Sequence, residues 1–223
     1  VSLLLLVKTP ISEFLRNIRL YRIDPLETKE PDHFNQDDSE LNHLGHNLAS
    51  VLHRLERDPE LKETLMDWIS LVVPGIEELF TPKQEIDGKT ALQFKEIGTK
   101  KKFPAHLISD GTIYFLCMLV AILDRKQSPG MTLIEEPERG LHPKAISELV
   151  HLIREQAHVN HPIFVTTHSE TLVKRVTPEE LWLVDKQQGH TRLKSIKNFQ
   201  LEKTELSMDQ LWLSNIFGAG LPW

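Results

Sequence analysis

One stretch, residues 131–143, constrains the fold of this chain more than any other. It opens with a short, mostly apolar run, residues 131–134, that ends abruptly in two adjacent carboxylates, Glu135 and Glu136. Such a run is typical of a buried parallel strand, and open α/β sheets place their ligands at the carboxyl ends of their strands. Pro143 suits the first turn of a following helix. The stretch therefore predicts a strand, a tight turn and a helix, with an acidic group at the strand tip.

The two carboxylates at the strand tip would be unfavourable if they were buried without a partner. Removing an unpaired carboxylate from water costs several kcal/mol, roughly, so two buried ones need a partner. A divalent cation with a polarised water would offset that cost, whereas a solvated acidic loop would avoid it. Both interpretations stay open on this stretch alone. The apolar helical positions, at 3.6-residue spacing, are Ile146, Leu149, Val150 and Ile153.

A second segment, residues 107–112, opens an intensely apolar run that extends to Leu123. Ser109 or Asp110 is suited to cap a helix there, and the exposed amides of a first helical turn favour an anion. An ordinary capped core helix is the simpler alternative.

A third segment, residues 163–169, is another apolar strand that ends in polar groups, with His168 at its tip. A lone histidine is more often structural than functional. Its position after a strand–helix unit, next to the acidic strand tip, favours a site.

In this order the three segments resemble the ABC-type ATPase heads of the RecF/SMC-like class, and most closely the bacterial RecF-like AAA ATPases of the AAA-21 group. Four motifs in these three ordered segments carry the resemblance, which extends over nearly the whole chain. The matching residues are Ser109, Asp110, Gly111 and Thr112 for the signature motif, residues 133–136 for the Walker B strand, Gly140, Leu141, His142 and Pro143 for the D-loop, and residues 167–169 for the switch histidine.

The resemblance implies a role for each of these residues in binding and hydrolysing ATP with Mg²⁺. Glu136 would be the general base, and His168 would donate to the γ-phosphate. Glu135, at a position that is usually Asp, would reach Mg²⁺ through a coordinated water. The implied partner is a second head, in a homodimer or head-to-head oligomer. Ser109, Asp110, Gly111 and Thr112 would face the nucleotide of that second head, with Gly140 and His142 at the same interface.

One motif of such heads does not occur in the 223 residues, the phosphate loop Gly-x-x-x-x-Gly-Lys-Ser/Thr. Gly88-Lys89-Thr90 resembles the end of one, but Lys83 stands where the first glycine belongs. The flanking alternation predicts a β-hairpin turn there instead of a strand–loop–helix. We therefore expect a C-terminal lobe without the Walker A segment, with an N-terminal P-loop lobe that is missing, disordered or on another chain.

The predicted fold class is α/β: the C-terminal lobe of a P-loop NTPase of the ABC-ATPase head type, with a mostly parallel sheet flanked by helices. Patterns at 48–55 and 61–72 predict an inserted helical hairpin, and short strands at 76–80, 84–87 and 90–97 predict a small antiparallel element. The predicted domains are 1–25, the end of the N-terminal lobe; 26–104, a mobile loop plus the helical and β insertion; and 105–223, the lobe with the four motifs.

Composition limits the partners and the location. Lys and Arg total 26 and Asp and Glu total 32, a net charge of −6, which argues against a strongly basic nucleic-acid surface. DNA remains a candidate ligand through Lys100, Lys101 and Lys102, which are otherwise a solvated turn. The single cysteine, Cys117, fits a reducing cytoplasm. No segment is long and apolar enough to predict a membrane span.

Three functions stay open on the sequence. The first is a dimerising ATPase head coupled to DNA repair or maintenance or to anti-phage defence, with a nuclease as a candidate effector. The second is a catalytically incomplete head that acts as an interaction or scaffold subunit, although a scaffold has no chemical need for Glu136 or His168. The third is a metal-dependent nuclease using Glu135, Glu136 and Glu138, which lacks the Asp-x-Asp element of the topoisomerase–primase type.

Overall fold

The computed structural model describes residues 9–32, 37–84, 88–124, 129–199 and 205–218. These residues fall into two compact units, Val1–Thr166 and Thr167–Trp223. The elements of the first unit are α1 (Pro10–Arg16), β1 (Ile18–Tyr21), α2 (Pro25–Thr28), α3 (Leu48–Leu55), α4 (Pro59–Val72), β2 (Ile76–Phe80), β3 (Gln93–Glu96), β4 (Lys102–Pro104), α5 (Asp110–Leu123), β5 (Met131–Glu135), α6 (Pro143–Gln156) and β6 (Ile163–Thr166). Those of the second are α7 (Glu170–Val173), β7 (Trp182–Gln187), β8 (His190–Ser195) and α8 (Met208–Leu213).

A three-stranded parallel sheet in the order β1-β5-β6 carries the acidic stretch at its centre. Within β5, Thr132 and Ile134 are buried while their neighbours are only half-buried, as expected when one face of a sheet meets a core. Helix α6 connects β5 to β6, so the predicted β-α-β unit is confirmed.

The core of the first unit is organised around α5, which is buried from Ile113 to Ile122 without a polar face. A helix that is apolar all round must be enclosed. Helices α3, α4 and α6 contribute buried side chains to the same cluster. The predicted helical hairpin is therefore present as α3 and α4, with Asp58 capping α4, and it packs into the core.

The small antiparallel sheet has the order β2-β3-β4, so its third strand is Lys102–Pro104. The sequence placed that strand at 84–87, of which 85–87 lie outside the described residues. Lys102 belongs to a strand because it pairs with Lys95 of β3, and its Nζ lies 3.3 Å from the centre of the Phe80 ring. The prediction of a turn is thus wrong for Lys102.

The Gly88-Lys89-Thr90 tripeptide lies in a turn, as the sequence predicted. Lys83 and Thr90 form an antiparallel bridge, and the Gln84 amide donates to the Lys89 carbonyl at 2.7 Å. Gly88 has φ +69°, a conformation that suits glycine. The tripeptide is therefore not placed between a strand and a helix, as a phosphate loop would be.

The segment predicted as a mobile loop holds ordered contacts in its described part. It contains α2, capped by Asp24, and a buried carboxylate, Asp32. The Ser50 amide donates to Asp32 Oδ2 at 2.6 Å, and the Asp32 amide donates to the Thr90 carbonyl at 2.9 Å. These contacts tie the described part of this segment to α3 and to the turn at Thr90.

The second unit has its own small core beside an antiparallel hairpin. Strands β7 and β8 join through Gln188 and Gly189, with φ values of +51° and +84°, as in the turns that match the strand twist. No helix within the described parts of the chain is long and apolar enough to cross a membrane. The buried side chains of this core are Val173, Leu183, Ile196, Met208, Leu211 and Phe217.

Candidate active site

The acidic strand tip has an unusual backbone. Glu135 is the last residue of β5, and the exposed Glu136 that follows it has φ +44°. A non-glycine residue in the left-handed region costs energy, and such residues cluster at functional sites. The Glu136 amide donates to the Thr166 carbonyl at 2.9 Å, and the Arg139 amide donates to the Glu136 carbonyl at 3.0 Å. The general-base candidate is thus exposed on a backbone that its neighbours hold in place.

The hydroxyl of Tyr114, on α5, reaches the same backbone. It donates to the Glu136 carbonyl at 2.9 Å and lies 3.4 Å from the Glu135 carbonyl. The tyrosine is only 2% exposed, and burial raises its pKa above the ordinary range, with a further rise from the Glu138 carboxylate. The hydroxyl therefore stays protonated and keeps its ability to donate.

A cation lies beside Glu135. Arg22, just after β1, has its Nε 3.7 Å from Glu135 Oε2, and its side chain is 73% exposed. An exposed pair at this distance contributes little to stability. The guanidinium of Arg22 therefore stays largely in solvent at this edge of the sheet.

The signature segment begins α5 at the protein surface. Ser109 is exposed and caps the helix, with its Oγ accepting from the Thr112 amide at 3.2 Å and lying 2.7 Å from Thr112 Oγ1. Asp110 is exposed as well. The helix start that the resemblance assigns to a partner's nucleotide is therefore accessible.

Lys29, at the end of α2, neutralises the signature carboxylate. Its ammonium donates to Asp110 Oδ1 and, at 2.7 Å, to the Ile108 carbonyl, with only 11% of the lysine side chain exposed. An unpaired carboxylate here would repel a phosphate. The ion pair removes that repulsion at the first turn of α5.

The signature and D-loop glycines touch within the chain. A Cβ added to Gly111 would lie 2.5 Å from the Gly140 carbonyl oxygen. Gly140 itself has φ +71°. Two residues later, His142 caps α6 through Nδ1, which accepts from the Lys144 amide at 3.2 Å. Ser109, Asp110, Gly111 and Thr112 thus adjoin Gly140 in the same chain.

His168 follows the last residue of β6 by two positions and is exposed. It belongs to the second unit, where the Ser169 amide donates to Thr167 Oγ1 at 2.9 Å. Its approach to Glu136 stays a prediction.

Among the described residues, no group of three or more His, Cys, Asp or Glu side chains is placed to hold a metal ion. Glu135, Glu136 and Glu138 therefore do not form the three-ligand centre that the nuclease interpretation requires. Mg²⁺ in nucleotide sites needs less from the protein, because one or two carboxylates suffice when phosphates and waters complete the shell. Glu135 and Glu136 fit that smaller requirement.

Sequence analysis missed Tyr114, Lys29 and Arg22. Tyr114 carried a signal, since it holds the only hydroxyl in the run 113–123 and a buried tyrosine usually finds a hydrogen-bond partner. No sequence signal marks Lys29 or Arg22, because their contacts with Asp110 and Glu135 join segments that are distant in sequence.

Lys29→Met is expected to lower the free energy of unfolding by about 1 kcal/mol, because the Ile108 carbonyl and Asp110 both lose a charged donor. Chemical denaturation of the purified chain measures the change. Lys62→Met is the matched control, since its 3.8 Å contact with Glu78 is half-exposed and should contribute close to nothing. Equal losses in the two variants would contradict a structural role for Lys29.

Comparison with solved structures places this fold in a known class. One match, described as "Structural biochemistry of ATP-driven dimerization and DNA stimulated activation of SMC ATPases", has a TM-score of 0.50 at 18% identity and covers 70% of this chain and 91% of the other. A second, "Crystal structure of the SmcHead bound to the C-winged helix domain of ScpA", has a TM-score of 0.56 at 17% identity and covers 84% of this chain and 56% of the other. The fold of this chain is therefore similar to the fold of SMC ATPase heads.

The family follows from the sequence itself. Residues 6–174 match the AAA_21 family, described as "AAA domain, putative AbiEii toxin, Type IV TA system". The match spans well over half of the chain, so the protein belongs to this family of AAA-type ATPase domains. Comparison with curated proteins gives no match.

Proposed function

We propose that this chain is the C-terminal lobe of a dimerising ATPase head that binds and hydrolyses ATP. The observation that carries the proposal is the strand tip: Glu136 is exposed at the carboxyl end of a parallel strand, on a left-handed backbone that Tyr114 and Thr166 hold. Membership of an AAA-type ATPase family supports the same conclusion.

Glu136 acts as the general base, accepting a proton from the attacking water. General-base catalysis of this kind contributes about 10²–10⁴-fold to a rate. Glu135 would assist in holding Mg²⁺, while Arg22 offsets part of the negative charge at the tip. When bound, Mg²⁺ would neutralise charge on the phosphates.

The remaining motif residues act on the γ-phosphate from two sides. His168 donates a hydrogen bond to it from the same chain. Ser109 and Gly111 bind the nucleotide of the second head through the start of α5, where free amides favour an anion. Gly140 and His142 belong to the same interface, since Gly140 packs directly against Gly111. ATP thereby joins two copies.

The phosphate loop of this site comes from a segment outside these 223 residues. The exposure of one apolar row of the parallel sheet, among the residues that the structure describes, supports this. Leu20, Leu133 and Phe164 are paired in register across β1, β5 and β6, and Leu20 and Phe164 are 51% and 53% exposed. Parallel sheets are normally covered on both faces. A P-loop lobe packed on this face would bury the apolar row.

ATP hydrolysis by this head drives DNA maintenance or anti-phage defence in the cytoplasm. The family description names a type IV toxin–antitoxin system, and one similar structure is described with DNA-stimulated activation. Exposed Lys100 and Lys101 suit a salt-dependent contact with a phosphate backbone. A nuclease is the effector that fits such a system.

The test compares ATP turnover by the 223-residue chain alone with turnover after the P-loop lobe is supplied. We expect no turnover from the chain alone and magnesium-dependent turnover when the lobe is present. Robust hydrolysis by the chain alone would contradict the need for an external phosphate loop. Absence of hydrolysis in the reconstituted head would favour the scaffold function.

A further inference from the structure

We infer that Tyr114 is a positioning residue: its hydroxyl tethers the backbone of Glu136 to α5, so that the signature helix sets the direction of the Glu136 side chain in its own chain. The general-base role of Glu136 rests on the proposed function. The tether itself rests only on geometry.

The first step is the rigidity of the helix that carries the tether. Residues 113–122 of α5 are all buried, so this part of the helix cannot move without disturbing the core. Tyr114 provides the only hydroxyl within it. A buried hydroxyl is costly unless it makes a hydrogen bond, and the Glu136 carbonyl supplies the acceptor at 2.9 Å.

The second step is the state of the tethered residue. Glu136 has φ +44°, which a glutamate adopts only when its surroundings impose it. The bond from the Glu136 amide to Thr166 fixes one side of the peptide, and the Tyr114 hydroxyl fixes the other. The Arg139 amide also bonds to the Glu136 carbonyl, but it belongs to the same turn and moves with it.

The third step is a second contact from the same helix. Gly111 lies three positions before Tyr114, and residues at this spacing share one side of a helix. Gly111 packs against the Gly140 carbonyl, at the other end of the loop that begins at Glu136. One side of α5 therefore contacts both ends of residues 136–140.

These contacts have a functional consequence. A ligand that engages Ser109 and Gly111 at the start of α5 acts on the helix that also positions Glu136. Binding of the partner's nucleotide at the start of α5 is thereby coupled to the position of Glu136 in the same chain. Both contacts lie within the first unit, so the coupling needs no other part of the protein.

Hydrogen exchange on the 223-residue chain tests the tether without any ATPase activity. Tyr114→Phe removes one oxygen and keeps the ring, so the fold is expected to persist. The amides of Glu136 and Arg139 should exchange about fivefold faster, the loss expected for one neutral hydrogen bond. Exchange in α3 and α4 should stay unchanged.

Tyr21→Phe is the matched control, because Tyr21 is the only other tyrosine and is also buried. It should leave the exchange of residues 136–140 unaltered. Unchanged exchange at Glu136 in Tyr114→Phe would overturn the inference. So would a uniform rise across the first unit, which would show a purely structural role.

A kinetic measurement separates this inference from the proposed function. In the head reconstituted with its P-loop lobe, Tyr114→Phe should lower kcat about tenfold through misplacement of the base, with KM within about twofold of the original. If Glu136→Gln leaves hydrolysis intact, the proposed function fails whatever the exchange result. If Glu136→Gln abolishes hydrolysis while Tyr114→Phe changes neither exchange nor kcat, only the tether is refuted.

Discussion

Glu136→Gln is expected to lower ATP turnover by the reconstituted head by about 10²–10⁴-fold, the contribution of a general base. The amide keeps the size of the side chain and its exposed position but cannot accept the proton. Nucleotide binding should survive, because the phosphate contacts come from other groups, and ATP-bound dimers should accumulate. Steady-state turnover and size-exclusion chromatography with ATP measure the two effects.

Glu138→Gln is the control for this prediction, since it removes a nearby carboxylate that has no part in the proposed chemistry. It should retain turnover within about threefold, because a substitution outside the machinery leaves transition-state binding intact. Turnover that survives Glu136→Gln would exclude Glu136 as the base.

Gly111→Ala is expected to disrupt dimer-dependent turnover and to destabilise the chain. Alanine gains up to about 1 kcal/mol over glycine in a helix, but overpacking costs about 1–3 kcal/mol. The added Cβ would lie 2.5 Å from a backbone carbonyl, which cannot rotate aside as a side chain can. The cost of this overlap should therefore exceed the gain in helix propensity. We expect a net loss of about 1 kcal/mol, measured by thermal or chemical denaturation.

Gly98→Ala separates the loss of stability from the loss of function. Gly98 has φ +79° with nothing within 4 Å of an added Cβ, so alanine there is strained but meets no neighbour. Both variants should lose stability, whereas only Gly111→Ala should impair ATP-dependent dimer formation. Normal dimers in Gly111→Ala would show that its contact with Gly140 is dispensable.

Periodicity and capping residues were enough to predict most of the elements that build the site. The apolar run before Glu135 predicted β5, Ser109 predicted the start of α5, and Pro143 predicted the start of α6. These signals are local, because each depends on residues within one or two turns of the element itself.

Contacts between segments that are distant along the chain could not be predicted from the sequence. Lys102 was expected in a turn because the run of three lysines is polar, yet strand pairing with β3 and the Phe80 ring place it in a sheet. The ion pair of Lys29 with Asp110 joins α2 to α5, and no spacing rule relates them. The left-handed backbone of Glu136 is likewise set by Tyr114 and Thr166, which a local pattern does not show.

The enclosed helix α5 has a consequence for genetics. A screen that scores loss of function will recover many substitutions within residues 113–122, but most of them will act by lowering the amount of intact protein in the cell, because every side chain there is buried. Substitutions at the exposed Ser109 and Asp110 remove only a helix cap or an ion pair, so they should lower the amount of protein less and report more directly on recognition. Abundance must therefore be measured beside each phenotype before any allele is assigned to the nucleotide.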